Sequence, residues 1–464
     1  MCIIITAMDN CNTIQDIHSK VTVYASPTYD DPYKAGSVTF QEVNMISNSN
    51  DQQNTRTILR VALLTLAASF IYAMYAGIRN NYGIMLNSIV DSAGLSFTSV
   101  SFVLAVGQLI FGMVQPAFGV LSAKRGNIYA FVSGVVLTIA GMLLTPLCKS
   151  SVSLMICLGI ILPAGTGAIS YGLLMGSITP RIPPKTVAFV SGIVNASSGI
   201  SNIVLSPVIN SLIKTGGLMY SMLVLTIPMA LTLPISLSLR KKSEMKGPRQ
   251  PQPQPQTAKI GIKSQFQKAM KSRSYLFLMI GFFTCGFHMA LITNHLPTQI
   301  KSFGFSSEIA AYAFSCYGIV TILGSILSGS LCGKLKMKNV LGFYYGLRPI
   351  TILLFLILPK TVFTVTFFTA LLGFSGASTV PPVSGIIGKL FGAGSLATLY
   401  GLVFLVHQVG GFFGAFLGGI CFDATGSYAG IWVVSIVFST AASAISFAID
   451  ANPTPSLDPD SMSA

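Results

Sequence analysis

Twelve apolar segments, six before a polar, proline-bearing stretch and six after it, organise almost the whole of this chain. Each is long enough, at roughly 20 residues or more, to cross the hydrocarbon core of a bilayer as a helix. The expected fold is therefore all-α: a polytopic membrane protein with twelve transmembrane helices in two pseudo-symmetric six-helix bundles. Spans one to six fall at 58–88, 97–122, 128–148, 152–178, 187–213 and 218–239. Spans seven to twelve fall at 274–299, 307–332, 339–359, 362–388, 394–421 and 428–449. A 6+6 layout without a large soluble domain points to a carrier rather than an enzyme, and no nucleophile–base pair, metal cluster or cofactor loop stands in the sequence.

Only 9% of the residues are charged, against roughly 25% for a soluble domain. The net charge of +15 would suggest nucleic acid in a soluble protein, but its distribution says otherwise. With a cytoplasmic N-terminus, the cytoplasmic loops hold Lys124, Arg125, Arg181, Lys185, Lys334, Lys336, Lys338, Lys389 and ten Lys/Arg between Arg240 and Arg273. The opposite loops hold only Lys149, Lys214, Lys301 and Lys360. This satisfies the positive-inside rule with both termini cytoplasmic, so no nucleic-acid partner is expected. The expected surroundings are a bilayer, a bacterial inner membrane, with the protein as a monomer.

The expected organisation is a polar, disordered tail over 1–55, a bundle over 56–239, a basic Pro/Gln-rich linker over 240–273, a second bundle over 274–449 and a short tail over 450–464. Pro251, Pro253 and Pro255 favour an extended, solvated linker. The run Ile3-Ile4-Ile5 is too short for a signal-peptide core. The loop Gly119-Val-Leu121-Ser-Ala-Lys124 after span two matches Gly329-Ser-Leu331-Cys-Gly333-Lys334 after span eight, as duplication of a six-helix unit predicts. The eight cysteines include no Cys-x-x-Cys, so neither a metal nor a disulfide is expected.

Inside the spans the ionisable groups are Arg79, Arg348, His288, His295 and His407, and no carboxylate sits in the middle of any span. Charge at membrane depth costs several kcal/mol unless it is paired, solvated or used. A guanidinium without a protein carboxylate can take its counter-charge from a substrate, and it fits a carboxylate with two parallel hydrogen bonds. The expected substrate is a small organic anion. Arg79 is the first candidate, with Tyr75 and Tyr82 at i−4 and i+3 on its helix face; the bland reading is that it reaches the outer headgroups. His288, His295 and His407 are candidates for carrying a coupled proton, or else neutral ties between helices. Arg348, followed by Pro349, reads as satisfying the carbonyl that the proline frees or as reaching a headgroup. Gly165, Gly167, Gly192, Gly199, Gly410, Gly411 and Gly414 permit close helix contact, and Pro381-Pro382 is expected to bend span ten.

The 6+6 layout and the basic loop Gly119–Gly126 resemble the major facilitator superfamily. Within it, Arg79-Asn-Asn-Tyr82-Gly83, Gly286-Phe-His288, His295-Leu-Pro297, Leu399-Tyr400-Gly401 running to His407-Gln408, and Phe422-Asp423-Ala-Thr-Gly426 are similar to bacterial carriers of the oxalate:formate antiporter and monocarboxylate transporter branch. The resemblance covers 58–449 and implies a central cavity lined mainly by spans one, four, seven and ten. It would place Arg79, Tyr171, His288 and His407 around that cavity, with Gln108, Asn195 and Gln408 as polar lining. The chain departs from the pattern in three places. Ala123 stands where the superfamily has an acidic residue, His407 stands where the oxalate antiporters have a lysine, and their span-eight arginine has no match. A monoanion is thus expected over divalent oxalate. The aromatic-rich first-helix signature of animal monocarboxylate carriers is also missing. The competing readings are a proton-driven multidrug efflux carrier, which usually needs a membrane-embedded carboxylate, and a transporter-like receptor, suggested by the long N-terminal tail alone.

Overall fold

The computed structural model describes residues 40–183, 186–239 and 267–450. The tail before residue 40, Lys185, most of the basic linker and the tail beyond Asp450 lie outside the described residues. Two compact units are present, Met1–Leu59 and Arg60–Ala464, and the spans and their contacts below belong to the second. Among the described residues the chain is helical throughout, with no strand.

Eleven helical stretches are long and apolar enough to cross a membrane. One of them, Val190–Leu237, has 48 residues, about twice what a bilayer needs. Gly217 breaks it at φ 71° and ψ −167°, a region that essentially only glycine occupies. The break gives spans five and six, and the total becomes the twelve expected from hydropathy. Replacing Gly217 with Ala should cost about 1–3 kcal/mol, seen as a lowered melting temperature in detergent; an unchanged melt would mean that this turn does not set the reversal between the two spans.

Residues 40–55, read from sequence as tail, are helical, because the helix of span one runs from Phe40 to Asn80. Extending an existing helix costs far less than nucleating one, so a formed span can carry a polar N-terminal extension with no apolar periodicity of its own. Span four is not one helix. A π-helical stretch Met155–Ile161 leads into Leu162–Ala168, and Ile169 leaves the helix before Ser170 caps Tyr171–Ile178. Span ten is interrupted next to the proline pair: Val362–Gly376 passes through a tight turn at Ala377–Thr379 into Val380–Phe391, which carries prolines in its first turn.

Among the described residues the two bundles meet chiefly along three helix pairs. Span two lies on span eleven, where an added Cβ at Gly112 would reach Gln408 at 2.8 Å. Span five lies on span eight, where Gly199 and Gly318 face each other's carbonyls. The helix Tyr82–Ala93, which continues span one, lies on span seven, with Gly83 against the Thr293 and Asn294 carbonyls and Thr298 bonded to Asn87 at 2.9 Å. Polar ties reinforce this end of the interface. Asp423, at the end of span eleven, accepts the Thr98 backbone N–H at 2.7 Å and so caps span two from the other bundle. Lys214 pairs with Glu308 across the same divide.

Candidate functional site

Arg79 owes its position to a helix break. Asn81, fully buried, leaves helical geometry at φ −105° and ψ 12°. Its amide donates to the Gly77 carbonyl at 2.7 Å and accepts from Ser206 of span five at 2.7 Å. The break is thereby fixed to a neighbouring span, and Arg79 stands in the last turn of the helix that precedes it. The half-buried guanidinium donates to Gln108 Oε1 at 3.2 Å and lies 4.2 Å over the Phe111 ring. Arg79, Tyr82, Gln108 and Thr166 supply the polar lining of a small cavity, closed by Leu104, Phe111 and Pro163. Its volume is about 10 Å³, room for a single water. The cavity as it stands is too small for a carboxylic acid.

Tyr82 faces that cavity and its hydroxyl has no hydrogen-bond partner. Tyr75 does not join it: its hydroxyl pairs with Thr232 of span six at 3.2 Å. Tyr72 takes the place expected for Tyr75, lying within electrostatic reach of Arg79 together with Tyr82 and Tyr317. At 100° per residue a position seven back is only about 20° off the arginine's direction, whereas one four back is about 40° off on the other side. Tyr72, at i−7, thus lies on the arginine's side of the helix, while Tyr75, at i−4, is turned to Thr232 of span six. Tyr72 also packs on Tyr171, ring centroids 5.6 Å apart, and Tyr171 bonds to Ser191 of span five. Asn195 stands half-buried in span five, its carbonyl accepting the Ser198 hydroxyl at 2.8 Å.

A chain of hydrogen bonds leaves the Arg79 site and crosses to the other bundle. The backbone carbonyl of Gln108 accepts from Gln408 Nε2 at 3.2 Å, and Gln408 Oε1 lies 3.0 Å from His407 Nδ1. Since the Gln408 nitrogen is spent on Gln108, its oxygen is the acceptor and Nδ1 of His407 carries the hydrogen. Nε2 therefore keeps its lone pair. The ring is stacked on Phe404, 5.5 Å away and tilted by 7°, which fixes its orientation.

The other two histidines sit differently. His295 has both nitrogens engaged, Nε2 with the Ala415 carbonyl at 2.7 Å and Nδ1 with the Tyr428 hydroxyl at 3.3 Å. That set satisfies one neutral tautomer completely, which is the arrangement of a tie between spans seven, eleven and twelve. His288 pairs through Nδ1 with Ser435 at 2.9 Å, and its buried Nε2 has no partner.

Arg348 departs most from expectation. It reaches neither a headgroup nor a carbonyl of its own helix: it is 0% exposed, and Nη2 donates to the carbonyls of Ser375 at 2.8 Å and Gly376 at 3.2 Å in span ten. Those carbonyls are available because span ten breaks at Ala377–Thr379, ahead of its two prolines. The signal was present in Pro381-Pro382 but lay in a different span from the arginine. Around both arginines, the carboxylates with described side chains stand at the ends of spans: Asp91, Glu308 and Asp423, with Asp450 just past span twelve. Among the described residues no group of three or more His, Cys, Asp or Glu is placed to hold a metal ion.

Comparison with known proteins agrees with this architecture. The family model for the Major Facilitator Superfamily matches residues 68–347 and 296–463. The chain is 23% identical to monocarboxylate transporter 13 of Rattus norvegicus over 386 residues, 82% of this chain and 87% of that one. It is 31% identical to the uncharacterized MFS-type transporter YcxA of Bacillus subtilis (strain 168) over 179 residues, a match spanning 37% of this chain and 43% of that protein. Among solved structures, a bacterial homolog of the human lysosomal transporter Spinster superposes with a TM-score of 0.69 at 15% identity, covering 85% of this chain and 99% of that one. The Escherichia coli fucose:proton symporter does so with a TM-score of 0.58, also at 15% identity and with the same coverage. A twelve-span helical architecture in two bundles, matched by the family model over most of its length, makes this chain a multi-pass membrane transporter of the major facilitator superfamily, similar to its monocarboxylate branch.

Proposed function

We propose that the protein is a secondary active transporter that moves a small, monocarboxylate-like organic anion across the bacterial inner membrane, its bundles rocking about a midplane site with both termini cytoplasmic. The observation that carries this reading is Arg79. It is a guanidinium held at a mid-span helix break, and its partners are a neutral amide and an aromatic face. A carboxylate would supply the missing charge and match the guanidinium fork. The names of relatives such as monocarboxylate transporter 13 support the same substrate class.

His407 is the proton-coupling group in this reading, since the Gln108–Gln408 bridge joins it to the arginine and its Nε2 can accept a proton. Drug efflux finds no support at the site, where no carboxylate is available to bind a cationic compound. The test is uptake of labelled pyruvate into proteoliposomes, driven by a proton gradient or by counterflow. His407→Gln should lose gradient-driven accumulation at least tenfold, about 1.4 kcal/mol of coupling, and keep more of its counterflow. Full accumulation in that variant would remove His407 from the proton path, and absence of either flux in wild type would argue against the monocarboxylate.

A further inference from the structure

Arg348 is a second intramembrane cation, and one of its partners can carry a negative charge. The guanidinium is fully buried, and besides two carbonyls of span ten its Nη2 meets Sγ of Cys285 in span seven, 3.4 Å away. The carboxylates with described side chains stand at the ends of spans, so the sulfur is the group in contact with Arg348 that can become an anion. Thr379 Oγ1 lies 3.3 Å from it, a hydroxyl that can donate to a thiolate or accept from a thiol. The titratable groups that face the sulfur from other spans are Tyr317, Tyr345, Tyr400 and His407, and His288 faces the guanidinium. Of these, His407 hydrogen-bonds to the Cys285 side chain. Its Nδ1 is committed to Gln408, so the nitrogen left for the sulfur is Nε2, whose lone pair accepts from the thiol S–H. Cys285 is buried and His407 only half-buried, so the imidazole is the member of the pair that solvent reaches.

Proton relays inside membranes are usually built from Asp, Glu and His, and a Cys–His pair beside a fixed cation can hold a proton in the same way. We propose that Cys285 and His407 together hold the coupled proton, with Arg348 as the fixed counter-charge of the thiolate. This deepens the reading of a proton-coupled anion carrier and rests on it. In the loaded form the proton sits on sulfur, hydrogen-bonded to Nε2. On release the S–H bond breaks, its electron pair stays on sulfur beside Arg348, and the proton passes to Nε2 and from there to water. Unloaded, thiolate and guanidinium cancel. Loaded, the cluster keeps the positive charge of Arg348 uncompensated, and the Gln408–Gln108 bridge ties it to Arg79. A protonated pair thus favours an anion at Arg79, which is the sign of coupling that moving proton and anion together requires.

Two readouts on the full-length protein test this. In detergent, the ultraviolet thiolate absorbance of wild type minus that of Cys285→Ser isolates this sulfur from the other cysteines. An ordinary thiol is only a few per cent thiolate at pH 7; the difference should exceed that fraction, and Arg348→Gln should remove it while Arg348→Lys, which keeps the charge, retains it. In proteoliposomes, Cys285→Ser, which keeps the shape and the hydrogen bonds without ionising, should lose gradient-driven accumulation of pyruvate about tenfold and keep its counterflow. The absorbance needs no substrate. A thiolate signal no larger than that of an ordinary thiol overturns the pair whether or not pyruvate is carried, whereas a clear signal in a protein that carries no pyruvate keeps the pair and rejects the substrate. A signal that persists in Arg348→Gln overturns the role of Arg348. Full gradient-driven accumulation in Cys285→Ser overturns the proton role, and so does an equal loss of both fluxes, which would assign Cys285 to structure alone.

Discussion

Arg79→Ala should abolish transport of a monocarboxylate while leaving the protein folded and abundant in the membrane. Truncating one partner of a buried charge pair costs about 2–5 kcal/mol of binding, or at least about 30-fold in affinity. The cost to folding should be small. The guanidinium makes one hydrogen bond, to Gln108, and one cation–π contact, to Phe111, each worth about 2 kcal/mol, and their loss is offset by removing a charge that costs several kcal/mol at membrane depth. Arg79→Lys should fall in between, because it restores the charge but not the two-pronged hydrogen bond. Uptake in proteoliposomes, normalised to protein recovered by size-exclusion chromatography, separates the two effects. Wild-type uptake in Arg79→Ala would end the substrate role of this residue; a variant that cannot be recovered would show its role to be structural.

The second large effect is expected where no charge is involved. A Cβ on Gly286 in span seven would collide with the His407 carbonyl oxygen, and one on Gly410 in span eleven would collide with the Phe283 carbonyl. Gly414 continues the same stripe, where an added Cβ would collide with the Phe287 carbonyl. Backbone meets backbone here, so no side chain can rotate aside, and the two helices are as close as small residues allow. Gly286→Ala must push span eleven away from span seven, at a cost of about 3 kcal/mol or more. It would also displace His407, and with it the link through Gln408 and Gln108 to Arg79. Gly401→Ala is the control, since an added Cβ there meets nothing within 4 Å. The expected result is a much lower melting temperature for Gly286→Ala and an unchanged or slightly raised one for Gly401→Ala. Equal melts for the two would mean that the spans are not in backbone contact.

Span count and span order were legible in the sequence because hydropathy is local: twenty apolar residues have few fates other than a bilayer or a large core. Arg79, Gln108, Gln408 and His407 were also legible as separate polar residues in apolar helices. Their connection was not, since it depends on span two meeting span eleven at one height. Helix rotation was equally hidden. A span that is apolar all round carries no amphipathic stripe to say which face turns inward, so Tyr75 and Tyr72 could not be told apart. Three similar histidines received three environments: the adjacent Gln408, itself tied to span two, for His407, Ser435 of span twelve for His288, and Ala415 with Tyr428 for His295. Arg348 was misjudged for the same reason. Its own proline suggested a local explanation, while the carbonyls that hold it come from a break in span ten. Asp423, visible only as part of a loop motif, caps span two from the opposite bundle.

The central claim, an anion carrier whose selectivity rests on Arg79, is tested most directly by ligand-induced thermal stabilisation of the purified protein. The ligands are short carboxylates, phosphates, sugars, amino acids and cationic drugs, applied in a buffer of fixed chloride. A ligand at a hundred times its dissociation constant stabilises the folded state by about 2.7 kcal/mol. The account predicts stabilisation by one class of monocarboxylates, present in wild type and absent in Arg79→Ala. Stabilisation by cationic or neutral compounds alone, unchanged in Arg79→Ala, would contradict it.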